Sequence, residues 1–526
     1  MAEIRNNFIK SKMNKDLDAR LVPSGEYRDA LNVAVSKSEG DDVGALENIL
    51  GNFGLTDFGL SSITNLDIIG TYADLTNDRL FVFMTNYVDT SGDKLSNFAS
   101  SNAHCYIGVY NTSTTTANLL VSGYFLNFSK THPVLGINLI DDILFFTDNR
   151  NQPRKINVSS ALANSSYYTL EDQISVAKYY PFSPIDLYRN QVTSLTGSSL
   201  GASYTAEDNV ATTGGTGSGL TVNIVNANGV TNTTIHSPGY GYTQGDTITP
   251  VPRGPGSGAT LTVNTEYVST MYDVSSPTLP DNSTTNPYYD ANWPGDPEYL
   301  QDKFVRFSYR FKFDDGEYSL MAPFTQECFV PQQDGYFLDK DEEHAYESTE
   351  VSFMQNKINN IILVLNVPGG STNWDDVPTN LKVKEIEIIY KQSNENALRL
   401  LDSIPASDFI AHSQLFYEYQ SRKPWKTLPT SALLRVYDQV PVRALAQEVA
   451  GNRVIYGNFV DKHTPPASLN YNLSTGFKET ETRSPADPSI QPGYTIKEYQ
   501  NHTLKQNRTY QVGIVLSDRY GRQSDV

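Results

Sequence analysis

The chain has 526 residues, with 59 acidic against 40 basic side chains and a formal charge of −19. Its length allows about three to five domains of ordinary size. The excess negative charge argues against tight wrapping of duplex DNA, which Lys and Arg drive by displacing counterions, and no apolar run approaches the ~20 residues that span a bilayer. Tyr (33), Gly (35) and Pro (27) are frequent and charged residues are only 19%, a balance that favours many short strands, so the expected class is all-β.

In chain order, residues 27–52 read as a β-hairpin, because Leu31, Val33 and Val35 alternate before a polar Ser-Glu-Gly-Asp-Asp stretch and a second apolar run. Strand-like runs follow at residues 80–84, 105–110, 119–126 and 137–146, each bounded by turn formers. Such regular short strands suit a sandwich, barrel or propeller. From 196 to 267 the composition shifts to Gly, Thr, Ser and Asn, yet apolar alternation persists. The two ends of that stretch rhyme, since Gly217-Ser-Gly-Leu-Thr-Val-Asn223 resembles Gly256-Ser-Gly-Ala-Thr-Leu-Thr-Val-Asn264. It is expected to be a small inserted β-module with glycines at tight turns. Residues 268–298 read as a long connection. Next come a hairpin at 304–324 turning on Asp314-Asp-Gly316 and strands at 358–367, 381–390 and 397–404, with the spacing of a fibronectin-like sandwich. The last strands are expected at 453–460 and 510–517, and the only helix candidates are 408–419 and 430–437.

Chemistry-bearing clusters are few. Asp339-Lys-Asp-Glu-Glu-His344 offers carboxylates and an imidazole, but lacks the alternating ligands and central glycine of a calcium loop and reads as a solvated loop. Asp41-Asp42 and Asp141-Asp142 sit where turns favour Asp. The seven histidines show no zinc-protease spacing, and the glycines at 214–219 precede a strand instead of the helix that makes a phosphate site. Cys105 and Cys328 are too few for a disulfide framework or a four-thiolate zinc site. Residues 1–15 lack the apolar stretch of a secretory signal, so the chain is expected to remain in an aqueous compartment. No enzyme activity and no cofactor or metal are expected. A glycosidase pair of carboxylates would leave no mark in the sequence, and Trp293, Trp374 and Trp425 suit sugar stacking as well as sheet packing.

Several segments resemble one family. Residues 14–51, opening Asn14-Lys-Asp-Leu-Asp-Ala-Arg-Leu-Val-Pro-Ser-Gly-Glu-Tyr-Arg28, resemble the start of the nozzle proteins of short-tailed phages, including the stabilization or muzzle proteins of crAss-like phages and structural proteins of marine cyanophages. Leu144-Phe-Phe-Thr-Asp-Asn-Arg-Asn-Gln-Pro-Arg-Lys-Ile-Asn157 is similar to that family's propeller-blade motif, and 307–319, 386–391, 452–458 and 513–523 are similar, in order, to its later signatures. The 196–267 stretch separately resembles glycine-rich β-modules of cyanophage structural proteins. The resemblance implies a β-propeller-like core with inserted β-sandwich modules, the propeller incomplete in this chain because family members continue past Val526. It divides the chain into an arm and first hairpin (1–52), a propeller-like domain (53–190), the insert (196–267), the sandwich region (268–420) and a return to propeller-like strands (421–526).

By that resemblance the chain is a tail nozzle subunit made in the host cytoplasm and carried in the virion. It would form a ring, commonly hexameric, that contacts an adaptor or portal-side ring and fibres and passes DNA without specific binding. The alternatives are a baseplate or tail-fibre attachment protein that touches the host surface, and a tail-borne polysaccharide hydrolase. Leu17, Arg20, Leu21 and Arg28 are the expected contact residues, since this arm has too few apolar residues to bury a face alone and a guanidinium can fork a neighbouring carboxylate.

Overall fold

The computed structural model describes residues 8, 10, 12–35, 46–49, 51–52, 54–89, 102–225, 233–240, 242–269, 300, 303–328, 331–333, 354–356, 358, 361–368, 373–410, 415–419, 426–435, 437–451, 453–474 and 507–526. The Asp339–His344 cluster, Asp41-Asp42, Trp293, Trp425 and nearly all of the 268–298 connection lie outside them. The chain forms two units, Met1–Thr64 and Asn65–Val526. The protein is all-β: no described helix exceeds six residues, and antiparallel ladders dominate.

In the first unit β1 (Lys12–Met13) pairs in parallel with β2 (Glu26–Tyr27), and β3 (Val33–Val35) pairs antiparallel with β4 (Leu46–Asn48), within the stretch read as a hairpin. Asn14 donates to Glu26 at 3.0 Å, and Phe8 meets the Tyr27 ring edge-on.

The second unit opens with a four-stranded meander, β5 (Asp67–Asp74), β6 (Arg79–Thr85), β7 (Cys105–Asn111) and β8 (Thr116–Ser122). A three-stranded meander follows, β9 (Gly136–Ile140), β10 (Ile143–Thr147) and β11 (Arg154–Asn157). The first has the four strands of a propeller blade and the second has one fewer. Phe81, Phe83, Cys105 and Ile107 of the first share one core with Leu144, Phe146 and Ile156 of the second. Asp141, at φ 52, makes the left-handed turn that splits the single run read at 137–146 into two strands. Short helices α1 (Val158–Ala163) and α2 (Glu171–Ile174) close this domain, the first capped by Asn157 accepting from the Ser160 amide.

The next domain is a seven-stranded sandwich. One sheet is β18 (Val305–Phe313), β22 (Val383–Gln392), β23 (Leu398–Pro405) and β25 (Lys426–Thr427). The other holds the start of β12 (Asp186–Ala202), β21 (Ile361–Leu365) and β24 (Leu415–Tyr419), and β19 (Pro331–Gln333) pairs with β20 (Met354–Asn356) in a short ladder of their own. Period-two alternation sends Val305, Phe307, Tyr309, Phe311 and Phe313 against Leu363, Leu365, Tyr417 and Tyr419. The sandwich thus takes one strand from before the insert. The helix expected at 408–419 is corrected: among its described residues the helix is α4 (Ala406–Phe409), and Leu415, Tyr417 and Tyr419 alternate into the sandwich core as a strand. Of 430–437, α5 (Thr430–Leu434) is helical. A further short helix, α3 (Asp376–Leu381), leads into β22.

The return after Asp314-Asp315-Gly316 is not a regular strand. The amides of Ser319, Ala322, Thr325 and Cys328 donate to the carbonyls of Phe311, Tyr309, Phe307 and Val305, three residues for every two of β18. The hydroxyls of Ser319 and Thr325 accept the amides of Phe311 and Phe307, so side chains supply bonds that the mismatched backbone cannot.

Beyond Tyr188, β12 runs out of the sandwich alongside β17 (Ser257–Ser269) and carries the insert. It adds β13 (Glu207–Gly214), β14 (Ser218–Ile224), β15 (Thr233–Tyr240) and β16 (Thr247–Val251). β15 returns to lie against β12, which rolls the sheet into a nearly closed barrel. The rhyming segments are β14 and the start of β17, and they bury Leu220, Val222, Ala259, Leu261 and Val263 in a core of the barrel's own. No residue of that core belongs to the sandwich core. Excising residues 191–266 and closing the Asn190–Tyr267 pair with an Asn-Gly turn is therefore expected to leave a cooperative thermal transition for the rest of the chain. Loss of all folded signal by circular dichroism would make the barrel integral instead.

β26 (Arg443–Ala450) and β27 (Arg453–Val460) form a last hairpin packed on β9 and β10. Gly136 permits that approach, since a Cβ there would sit 2.8 Å from the Gln447 amide nitrogen and 2.7 Å from Thr147 Cγ2. The strand expected at 510–517 is also corrected. The segment is exposed and enters no ladder among the described residues apart from a bridge between Ser517 and Gln523, because no described strand lies beside it.

Candidate functional site

The densest polar constellation lies where the two meanders, the sandwich and the C-terminal turn meet. It starts from the 144–157 motif. Asp148 accepts from the amides of Arg150 (3.0 Å) and Asn151 (2.7 Å) and so folds the loop after β10. That loop aims the Arg150 guanidinium inward to pair with Asp89, while its Nε donates to the Asn127 carbonyl at 3.0 Å. Asn127 can receive it because its own backbone is left-handed, at φ 50. Four residues on, Arg154 is buried on β11 and donates to the Leu126 carbonyl and to Glu171 at 2.9 Å.

Lys155, next on β11, reaches into the sandwich. Its Nζ lies 2.6 Å from Glu317 and 3.1 Å from Asp315, and Lys178 meets the same Asp315 at 2.5 Å. These acids belong to the β18 turn. Burial alone would raise the Asp315 carboxyl, but Lys178 and Lys155 outweigh it and hold it down at about 2. Beside it, burial and a hydrogen bond to Asp314 push the Tyr167 hydroxyl well above its ordinary value, and Lys382 stands 4.4 Å over the same ring.

The C-terminal turn completes the joint. Arg519 donates to Glu171 at 3.0 Å and pairs with Asp172 at 2.9 Å, and Tyr520 donates to Asp172. Glu171 thus bridges Arg154 and Arg519. Asp518 is held by Arg522 at 2.7 Å and His463 at 2.8 Å; burial would raise it, and these partners bring it to about 2. Gly521, at φ +82, presses against Leu320 where a side chain would clash.

Apart from Arg154 Nε, which is buried without a hydrogen-bond partner, these groups are donors and acceptors matched to one another, an arrangement that fixes domains. Burial raises the thiols of both cysteines. Among the described residues no three of His, Cys, Asp and Glu gather as a metal-binding set. A pocket of about 320 Å³ between β8 and the α1–α2 loop is lined by Leu119, Val121 and Tyr168 with the hydroxyls of Ser165, Ser166 and Thr169, and presents no carboxylate.

Two of these carboxylates make the joint acid-sensitive. Their folded values lie below the ordinary ~3.9, so their stabilisation is complete above that value and is lost as pH falls towards about 2. The melting temperature is expected to drop over that window, and Asp315→Asn should start lower at pH 7 and lose part of the slope. An unchanged slope in the variant would remove Asp315 from the account.

The arm residues belong to the first unit. Arg20 forks Asp18, two positions away, at 3.1 and 3.4 Å in full solvent, and Arg28 is exposed, as are Leu17 and Leu21. The Arg20 fork is thus spent locally, and the four residues form no cluster with one another among the described contacts. Sequence reasoning missed Lys155, Lys178, Glu171 and Asp315 as joint residues. Lone charges inside apolar strands such as Arg154-Lys155 were the available signal, because such charges need buried partners. Comparison with known protein families, curated proteins and solved structures found no match for this chain.

Proposed function

We propose that the chain is a structural subunit of a tailed-phage virion, part of the ring-shaped DNA conduit at the tail. The observation that carries this reading is the convergence of the motif segments. Lys155 of 144–157 meets Glu317 of 307–319, Glu171 ties Arg154 to Arg519 of 513–523, and Tyr456 of 452–458 lies in the field of Glu317. Segments scattered over the chain thus share one architectural task, holding domains in fixed relation, which suits a conduit wall. The net charge of −19 fits a wall along which phosphate slides without binding.

In this reading the subunit contacts its own copies, an adaptor or portal-side ring and fibres. The barrel insert, with its own core on a two-stranded stem, favours a second role in attachment to a fibre or host surface. Electron microscopy of virions carrying a labelled copy tests the proposal. Label at the tail axis is the expected result, and label confined to fibres would favour attachment alone.

A further inference from the structure

We propose that residues 511–516 act as a donor strand that pairs with β27 of a second copy of this chain. The inference rests on the ring reading above and names its contact. Val512, Ile514 and Leu516 alternate along the segment and are 49%, 36% and 42% exposed, and Val515 on the opposite face is 45% exposed, so the segment carries a period-two apolar stripe and one further apolar group left to bury. Among the described residues only Leu516 has backbone partners, both on Ser524. An extended stretch with open amides and carbonyls and an apolar stripe is half of a ladder.

The other half is on the same chain. Among the described residues β27 pairs with β26 alone, and its face carries Ile455 and Phe459, 53% and 52% exposed. A donor and an acceptor on one molecule make a head-to-tail contact, which closes into a ring when the rotation allows. Charge favours a second copy as the occupant. Two copies with a net charge of −19 repel, yet residues 511–516 hold no charged side chain and β27 holds only Arg453, so these are surfaces at which acidic copies can approach.

The test uses the full chain. Val512→Cys and Ile455→Cys single variants are mixed and treated with a short bis-maleimide; Cys105 and Cys328 are buried and leave the engineered thiols as the reactive ones. A dimer band that needs both variants is expected, and a crosslink formed only within one chain of the double variant would overturn the proposal. Val512→Pro, at a position outside any described ladder, should leave the melting of the isolated chain unchanged and raise the concentration for half-assembly at least tenfold. Rings that persist unchanged in Val512→Pro would sink the strand pairing and leave the ring reading standing. A wild-type chain that stays monomeric by mass photometry, while found at the tail axis in virions, would overturn the pairing and locate the ring contact elsewhere.

Discussion

Replacement of Asp89 by alanine is expected to lower the unfolding free energy by about 3–5 kcal/mol, the cost of leaving a buried partner charge uncompensated. The Asp89 and Arg150 side chains are 3% and 0% exposed, so water cannot take over the lost role. Arg150 keeps its bond to the Asn127 carbonyl, which solvates one nitrogen but neutralises nothing. Removing both charges is a different experiment. The double variant Asp89→Leu with Arg150→Met should recover most of the loss, since apolar groups of similar volume often replace a buried ion pair at little cost. Urea unfolding followed by circular dichroism measures both. A single-variant loss below about 1 kcal/mol, as at an exposed pair, would mean that this site is wet.

The second large effect is expected in the sandwich. Phe307 is fully buried on β18 and meets the rings of Tyr390 on β22 and Tyr419 on β24 edge-on, at 5.9 and 5.8 Å. It therefore joins the two sheets. Phe307→Ala should cost about 3–5 kcal/mol through lost burial and the cavity left behind, part of it from the aromatic contacts. Hydrogen exchange gives the sharper readout. Protection should fall in β18, β22 and β24 while β14 and β16 of the barrel, with a separate core, keep theirs. Equal loss in both would show that barrel and sandwich unfold as one unit.

How far the sequence reaches depends on the distance between partners. Alternation within seven to ten residues made β6, β7, β18 and β22 legible to within about two positions, because each buries one face or both in a core. β5 escaped notice: Gly70 and the exposed Ile68 and Thr71 blur its period, and it is defined by pairing with β6. Residues 510–517 have a strand's pattern but no described strand beside them, so pattern alone overstated the ladder. The joint was illegible for a different reason. Lys155 and Glu317 are 162 positions apart, and Arg519 and Glu171 are 348 apart; only the fold brings them within reach. At Arg20 a guanidinium able to fork a distant carboxylate also meets a near one, on Asp18 two positions away.

In the proposed reading this chain is one of several identical copies around a channel. Two-dimensional class averages of the purified chain by electron microscopy, taken beside averages of virion tails, examine that directly. Closed rings of identical copies around an open centre are expected, with the barrel insert as a feature repeated once per subunit. Monomers at every concentration, together with virion tails whose axial ring lacks this chain, would overturn the ring reading.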